Sequence, residues 1–174
     1  MVNDMDNKNS LTSGELKEIM HYDPDTGVFT WKRSIRKRDR WNGKIAGSIM
    51  TLGYRQIRIN GRDYYAHRLA WLYMTGEWPQ QTIDHINGKQ ADNRWSNLRD
   101  VSHHANIQNV RIARRNNKSG LLGAYFHKDH PTKPWQARLQ IQGICKSLGY
   151  FSTSKEAHDA YLKAKRRFHE GCTI

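Results

Sequence analysis

Apolar residues along this chain recur with two spacings, one helical and one strand-like, and the changes between them mark out the elements. Residues 1–10 are poor in apolar side chains and read as a loose tail. From Leu11 a short helix is expected: Thr12 and Glu15 have capping-box spacing, and Leu16, Ile19 and Met20 supply the stripe. The turn-forming Asp23-Pro24-Asp25-Thr26-Gly27 leads into the strand-like Val28-Phe29-Thr30-Trp31. Asn60-Gly61, set between Arg55–Ile59 and Asp63–Ala66, predicts a hairpin. A helix is then expected from His67 to Thr75, with Leu69, Leu72 and Tyr73 on one face and Gly76 as its stop. Ile83–Ile86 and Leu98–Val101 read as a strand and its return, with a turn at Asn87-Gly88. Ser102 can cap a helix containing Asn106 and Asn109.

The second half of the chain repeats the alternation more strictly. Trp135, Ala137, Leu139 and Ile141 alternate with Gln136, Arg138 and Gln140, the pattern of a half-buried strand with one polar face. Gln142-Gly143 turns it into Cys145–Phe151. Thr153 and Glu156 have capping-box spacing ahead of a stripe of Ala157, Ala160, Tyr161, Ala164 and Phe168 that ends at Gly171. Strands followed by one amphipathic helix predict a small α+β module. Between the halves, residues 111–120 carry Arg111, Arg114 and Arg115 and then Asn116–Gly120, which reads as a basic linker. The expected organisation is α+β: a tail at 1–10, one domain over 11–110, the linker, and a second domain over 121–174.

Composition narrows the class. The 174 residues suffice for one or two small domains. Lys and Arg total 29 against 16 Asp and Glu, a net charge of +13, which points to nucleic acid first and an acidic membrane surface second. No apolar run is long enough for a transmembrane helix, and the polar N-terminus lacks a signal peptide. Cys145 and Cys172 are the only cysteines, which excludes a disulfide framework and a four-cysteine zinc site. A soluble, cytoplasmic protein with no structural zinc and no small-molecule cofactor is expected. Residues 32–44 hold seven basic side chains and one acid, and Arg36 and Arg38 belong either to a solvated loop or to a phosphate-contacting arm.

Residues 82–109 carry the candidate chemistry. Adjacent strand residues face opposite ways, so Asp84 and His85 would flank a phosphate differently, one on a metal and the other on a water. Asn106 and Asn109 lie three apart and share a helix face. Asp and Asn oxygens suit Mg²⁺ or Mn²⁺ better than zinc. Taken singly each feature is ordinary, since an isolated Asp-His pair is commonly structural and Asn-Gly is a common turn. Their combination in one short stretch of a basic chain is what makes the segment a candidate site. His67 at a helix start is read as packing or a helix-terminal hydrogen bond as readily as a phosphate contact, and is not taken as catalytic.

The stretch resembles the ββα-metal, or HNH, nuclease motif: Asp84-His85, then Asn97 twelve residues after the histidine, then Asn106 nine further on. The wording D-H-I-N-G-x-x-x-D-N-R-x-x-N-L-R is similar to that of phage and intron-encoded HNH homing endonucleases. So are DPDTGVFTWK and AHRLAWLYMTGEWP, which extends the resemblance from Leu11 to Asn109. It implies that Asp84 and Asn106 hold one divalent metal, Mg²⁺ or Mn²⁺, that His85 is the general base, and that Asn97 ties the loop to its strand and so orients His85. Asn106 stands where the family pattern has His, a departure that favours a hard metal. His103 and His104 could substitute as ligands but rank below Asn106 on helix register.

Residues 121–170 resemble an AP2-type DNA-binding domain through Trp135-x-Ala137-Arg138, Leu148-Gly149-Tyr150-Phe151 and Glu156-Ala157-x-x-Ala160-Tyr161. The resemblance implies a three-stranded antiparallel sheet on one helix, with the sheet in the major groove. Gln136, Arg138 and Gln140 would then read base edges, while Lys146, Lys128 and Lys133 contact the backbone. Ser147 stands where plant members often have Trp. The combined reading is a metal-dependent, homing-type endonuclease acting on double-stranded DNA as a monomer or weak dimer, of phage type. A DNA-binding regulator that no longer cuts is the alternative. An RNA-directed nuclease is a third reading, disfavoured because the A-form major groove is too narrow for a sheet.

Overall fold

Thr12 caps the first helix as its spacing with Glu15 predicts: its Oγ1 accepts from the Glu15 N–H at 3.2 Å, and the Glu15 carboxylate accepts from the Thr12 N–H at 2.8 Å. In the computed structural model, which describes residues 11–32, 42–169 and 171–174, that helix is α1, Ser13–Ile19. Arg36 and Arg38 therefore lie outside the described residues. Met20 leaves the predicted helical stripe and opens β1 (Met20–Asp23), which pairs antiparallel with β2 (Val28–Trp31). Its side chain remains buried, because the turn at 23–27 folds the strand back over the same core.

The chain divides into two compact units, Met1–Val101 and Ser102–Ile174. In the first, β3 (Ser48–Ile49), β4 (Arg55–Ile59) and β5 (Arg62–Tyr65) form an antiparallel sheet in chain order. The β4–β5 turn places Asn60 at φ 49° and Gly61 at φ 81°, the paired left-handed conformation that Asn-Gly adopts readily. Helix α2 (Ala66–Thr75) ends at Gly76 in the left-handed region, as expected. β6 (Thr82–His85) pairs antiparallel with β7 (Leu98–Val101), and a 3₁₀ turn at Trp95–Asn97 feeds the return. Leu16, Met20, Tyr22, Phe29, Ile57 and Leu69 are among the side chains packed in its core, with Tyr22 and Phe29 ring centres 4.7 Å apart.

The second unit begins with α3 (His103–Gln108), capped by Ser102, whose Oγ accepts from the Ala105 N–H at 3.1 Å. Asn109 stands just beyond α3 as its C-cap rather than inside it. The division between units falls at Val101–Ser102, so α3 and the basic segment 111–120 group with the C-terminal elements. The ties are polar: the Gly171 N–H donates to Gln108 Oε1 at 3.0 Å, and Arg111 Nη2 donates to the Thr173 carbonyl at 2.7 Å. β8 (Ala124–Phe126), β9 (Trp135–Ile141) and β10 (Ile144–Phe151) make an antiparallel sheet in the order β10-β9-β8. Helix α4 (Ser154–Phe168) packs on it through Ala157, against Ala124 and Ala137. No helix among the described residues is long and apolar enough to cross a membrane.

Gly27 sets how closely the β1–β2 turn approaches residues 93–95. It has φ 72°, and a Cβ there would stand 2.4 Å from both the Asn93 carbonyl carbon and the Arg94 nitrogen. The Tyr22 hydroxyl donates to the Asn93 carbonyl at 2.6 Å, and the Trp95 N–H donates to the Pro24 carbonyl at 2.9 Å. Gly27→Ala therefore meets both a backbone clash and a strained φ, and is expected to lower stability by about 2 kcal/mol or more. Gly61→Ala, which meets nothing within 4 Å, is expected to cost only about 1 kcal/mol, from φ alone. Urea denaturation of the two variants checks the ordering, and equal losses would show that the 93–94 backbone yields.

Candidate active site

β6 ends in the two residues that carry the candidate chemistry, and strand alternation sends them to opposite faces. Asp84 is the register partner of Arg99 on β7, so their side chains share a face. Arg99 donates to Asp84 Oδ2 from Nε at 2.9 Å and from Nη2 at 2.7 Å. The carboxylate is buried, at 5 % residue exposure, and this charge-assisted pair offsets part of the cost of burying it.

His85 faces a different set of groups. Its Nε2–H donates to Asn93 Oδ1 at 3.2 Å, and its ring meets those of Tyr54, at 5.9 Å between centres, and His67, at 5.1 Å and nearly perpendicular. With the proton on Nε2, the lone pair of the neutral ring is on Nδ1. Burial lowers the His85 pKa, while the Asn93 hydrogen bond and the Asp84 and Asp92 charges oppose that shift without reversing it. The imidazole is thus neutral near pH 7, the state a general base needs.

The loop between β6 and β7 is stapled internally. Asn97 Oδ1 accepts from the Asn87 N–H at 2.9 Å, and Asn97 Nδ2 donates to the Asp92 carbonyl at 2.7 Å. Asp92 accepts from Arg94 Nε at 2.8 Å and from Asn87 Nδ2 at 2.6 Å, and these bonds, the Arg94 one foremost, hold its carboxyl down at about 2 against the opposing effect of burial. Asn97 thus binds the loop, whereas the side chain on the His85 ring is Asn93, itself 1 % exposed. Sequence reasoning missed Asn93; its only signal was a second Asn in the Asp92-Asn93-Arg94 phrase. It also treated Arg99 as a strand residue only, because its pairing with Asp84 is set by the β6–β7 register.

His67, set aside in the sequence, lies beside His85. Its ring stacks on Tyr65 at 5.4 Å and 15° and tilts against Tyr54 at 5.4 Å. Nδ1 is buried with no hydrogen-bond partner among the described residues. Burial, then the neighbouring His85 and Arg68, push its pKa down to about 3, so the ring carries no charge at neutral pH.

The remaining predicted site residues lie in the second unit. Asn106 is half-buried on α3, one residue past the exposed His103 and His104 and the intervening Ala105. His104 Nε2 accepts from Gln108 Nε2 at 2.8 Å. Asp84 and Asn106 offer a carboxylate and an amide carbonyl, hard oxygen donors of the kind Mg²⁺ or Mn²⁺ takes. Among the described residues no three His, Cys, Asp or Glu side chains gather as a metal-binding group.

Arg114, Arg115, Gln140 and Lys146 are exposed. Two of the residues expected to face DNA do not project outward. Gln136 is only 8 % exposed, because it sits in register between Tyr125 and Tyr150, and its Nε2 donates to Ser147 Oγ at 2.8 Å. Arg111 is turned onto the Thr173 carbonyl and hydroxyl. Arg138 lies with its guanidinium carbon 4.0 Å from the Tyr125 ring centre. An open groove of about 870 Å³ in this unit is lined in part by Arg114, Lys118, Tyr125, Phe126, Arg138 and Gln140.

Comparison with protein families matches residues 64–108 to a model described as HNH endonuclease. That span includes His67, Asp84, His85, Asn93, Asn97 and Asn106. Comparison with curated proteins gives no match. Among solved structures, the chain is similar to one titled "DNA binding and cleavage by the HNH homing endonuclease I-HmuI", with 19 % identity and a TM-score of 0.41, over 87 % of this chain and 88 % of that one. Residues 64–108 are thus similar to the HNH endonuclease model.

The buried neutral histidines make stability depend on pH with a definite sign. The folded-state pKa of His67, about 3, lies below the ordinary 6.5, so on acidification the unfolded chain takes up the proton first. The stability is therefore fully present above about pH 6.5 and is lost as pH falls toward 3, with about 2 kcal/mol gone at pH 5. His85 acts in the same direction. Urea denaturation is expected to show lower stability near pH 5 than near pH 7.5, with a smaller difference in His67→Phe. Identical pH slopes in the two proteins would show that His67 is protonated equally in both states.

Proposed function

We propose that this protein is a metal-dependent endonuclease that hydrolyses phosphodiester bonds in double-stranded DNA. The observation that carries the reading is His85, a buried neutral imidazole whose Nε2–H is held by Asn93, next in sequence to a buried carboxylate, within a segment that matches HNH endonucleases. His85 Nδ1 would take a proton from water as its oxygen attacks phosphorus, and the bond to the 3′ oxygen would break, that oxygen leaving as a hydroxyl with a proton from solvent water. Asp84, and Asn106 on α3, are the oxygen donors proposed for one Mg²⁺ or Mn²⁺ ion. When bound, such an ion stabilises the charge that builds on the phosphate and the leaving oxygen. Asn97 closes the loop that carries Asn93, and so acts on His85 indirectly.

Duplex DNA as substrate is supported by the net charge of +13 and by the second unit, a small sheet on one helix beside a groove lined by Arg114, Lys118, Tyr125 and Arg138. An AP2-like role for that sheet, with Arg138 and Gln140 reading bases and Arg114, Arg115 and Lys146 on the backbone, is the finer form of the proposal. A site-directed, homing-type role extends it, and a single set of these residues per chain suits nicking by a monomer.

Incubation with supercoiled plasmid and Mg²⁺ or Mn²⁺ is expected to yield open circles, and EDTA to prevent them. His85→Ala is expected to slow nicking by about 100-fold or more while leaving DNA affinity unchanged, because the base contributes to proton transfer and not to binding. DNA binding without any cutting, with or without metal, would instead support the regulator reading. Arg114→Ala is expected to weaken binding to all sequences alike and to reduce the salt slope by about 1, whereas Arg138→Ala should reduce discrimination among sequences. Gel shifts over a salt series check this, and equal effects of both variants on every DNA would remove the base-reading role.

A further inference from the structure

Two rings from outside the β6–loop–β7 hairpin, Tyr54 and His67, meet the His85 imidazole, and a third, Tyr65, packs on both of them. Tyr54 precedes β4, Tyr65 ends β5 and His67 begins α2. Their ring centres are mutually close: Tyr54 to Tyr65 at 5.6 Å, Tyr65 to His67 at 5.4 Å and Tyr54 to His67 at 5.4 Å. Tyr54 and His67 both reach His85, at 5.9 and 5.1 Å. The imidazole thus has a hydrogen bond at Nε2 on one side and a wall of rings on another, and rotation about its χ2 must displace one or the other.

His67 is the unusual member of this wall. A buried imidazole nitrogen with no partner costs stability that a carbocyclic ring of similar shape would not. Its nitrogen Nδ1 makes no hydrogen bond among the described residues, and its ring stands edge-on to that of His85, 5.1 Å between centres and 80° between planes. From this geometry we infer that His67 and Tyr54 are positioning residues, which fix the ring plane of His85 so that the Nδ1 lone pair is held in one direction. The inference rests on the nuclease reading above and adds residues to its machinery. Both act through His85 and not on the substrate.

The physical expectation is an effect on turnover and not on binding. Removing a side of the wall takes away one of the surfaces that confine the imidazole, and the hydrogen bond to Asn93 at 3.2 Å then has more room to rock. A base that spends less time aligned lowers the rate of proton transfer without changing what holds the DNA. A flat ring of any kind at position 67 should suffice, whereas a branched aliphatic side chain of comparable size should not.

The test is single-turnover plasmid nicking by the full chain, comparing wild type, His67→Leu, His67→Phe and Tyr54→Leu, with a gel shift and a thermal melt for each. His67→Leu and Tyr54→Leu are expected to lose about tenfold or more in the rate at saturating DNA, with DNA affinity unchanged. His67→Phe, which restores the flat ring, is expected to stay within about threefold of wild type and to melt no lower. Wild-type rates in both Leu variants would overturn the inference, as would a loss confined to DNA affinity. A folded His67→Phe as slow as His67→Leu would overturn it too, since the nitrogen and not the ring would then be what matters. The two Leu positions lie on different elements, so unfolding of one leaves the other to decide; unfolding of both would make the wall part of the core and overturn its positioning role. A wild-type protein that cuts no DNA would overturn the nuclease reading and this inference with it, whereas a cutting wild type beside an equally fast His67→Leu overturns the inference alone.

Discussion

The alternation of β6 governs the site. Two polar residues in succession on a buried strand must face opposite ways, so the carboxylate of Asp84 and the imidazole of His85 cannot share a partner and each must be satisfied separately. The β6–β7 ladder provides the first partner directly, since the register that pairs Asp84 with Arg99 also brings a guanidinium to the carboxylate. Nothing in the ladder can provide the second, because the register partner of His85 is Leu98. Its partner comes from the intervening loop, as Asn93.

That requirement explains why so much of the first unit converges on a short loop. Asn93 can hold His85 only if its own backbone is fixed, and it is fixed from two directions. From within, Asn97, Asn87 and Asp92 close the loop on itself. From outside, the Tyr22 hydroxyl, the Pro24 carbonyl and the bare face of Gly27 hold residues 93–95 against the β1–β2 turn. The N-terminal hairpin, remote in sequence from the candidate base, thus belongs to its support. The charged Asp92–Arg94 pair is more exposed, and its contribution is to loop geometry more than to stability.

The second unit solves a different problem with different means. Its core has three fully buried alanines at its centre, with Trp135, Leu148 and Phe151 packed around them, so α4 lies close to the sheet. Small residues at that interface leave the larger rings to the edges and the opposite face. There Tyr125 stacks with Arg138 and, with Tyr150, covers Gln136. A flat guanidinium held on a ring is pre-oriented, which reduces the entropy lost when it engages a further partner.

Local hydrogen bonding made much of this protein legible in its sequence. Capping boxes at Thr12 and Thr153, the Asn60-Gly61 turn, the stop at Gly76 and the strand alternation at 135–141 act over a few residues, so the chain alone determined them. The strand that carries Asp84 and His85, and its return at Leu98, were likewise readable. What only the tertiary structure decided are the contacts between elements far apart in the chain. Tyr54 and His67 meet His85 because two hairpins and a helix pack together; Met20 turns from helix to strand because the 23–27 turn folds back over the core. Gln136 turns from a polar face into shade because rings on both neighbouring strands flank it. Side-chain periodicity assigns a residue to a face, but the neighbours on that face, and therefore its exposure and its partners, are set by strand order and register, which no local pattern encodes.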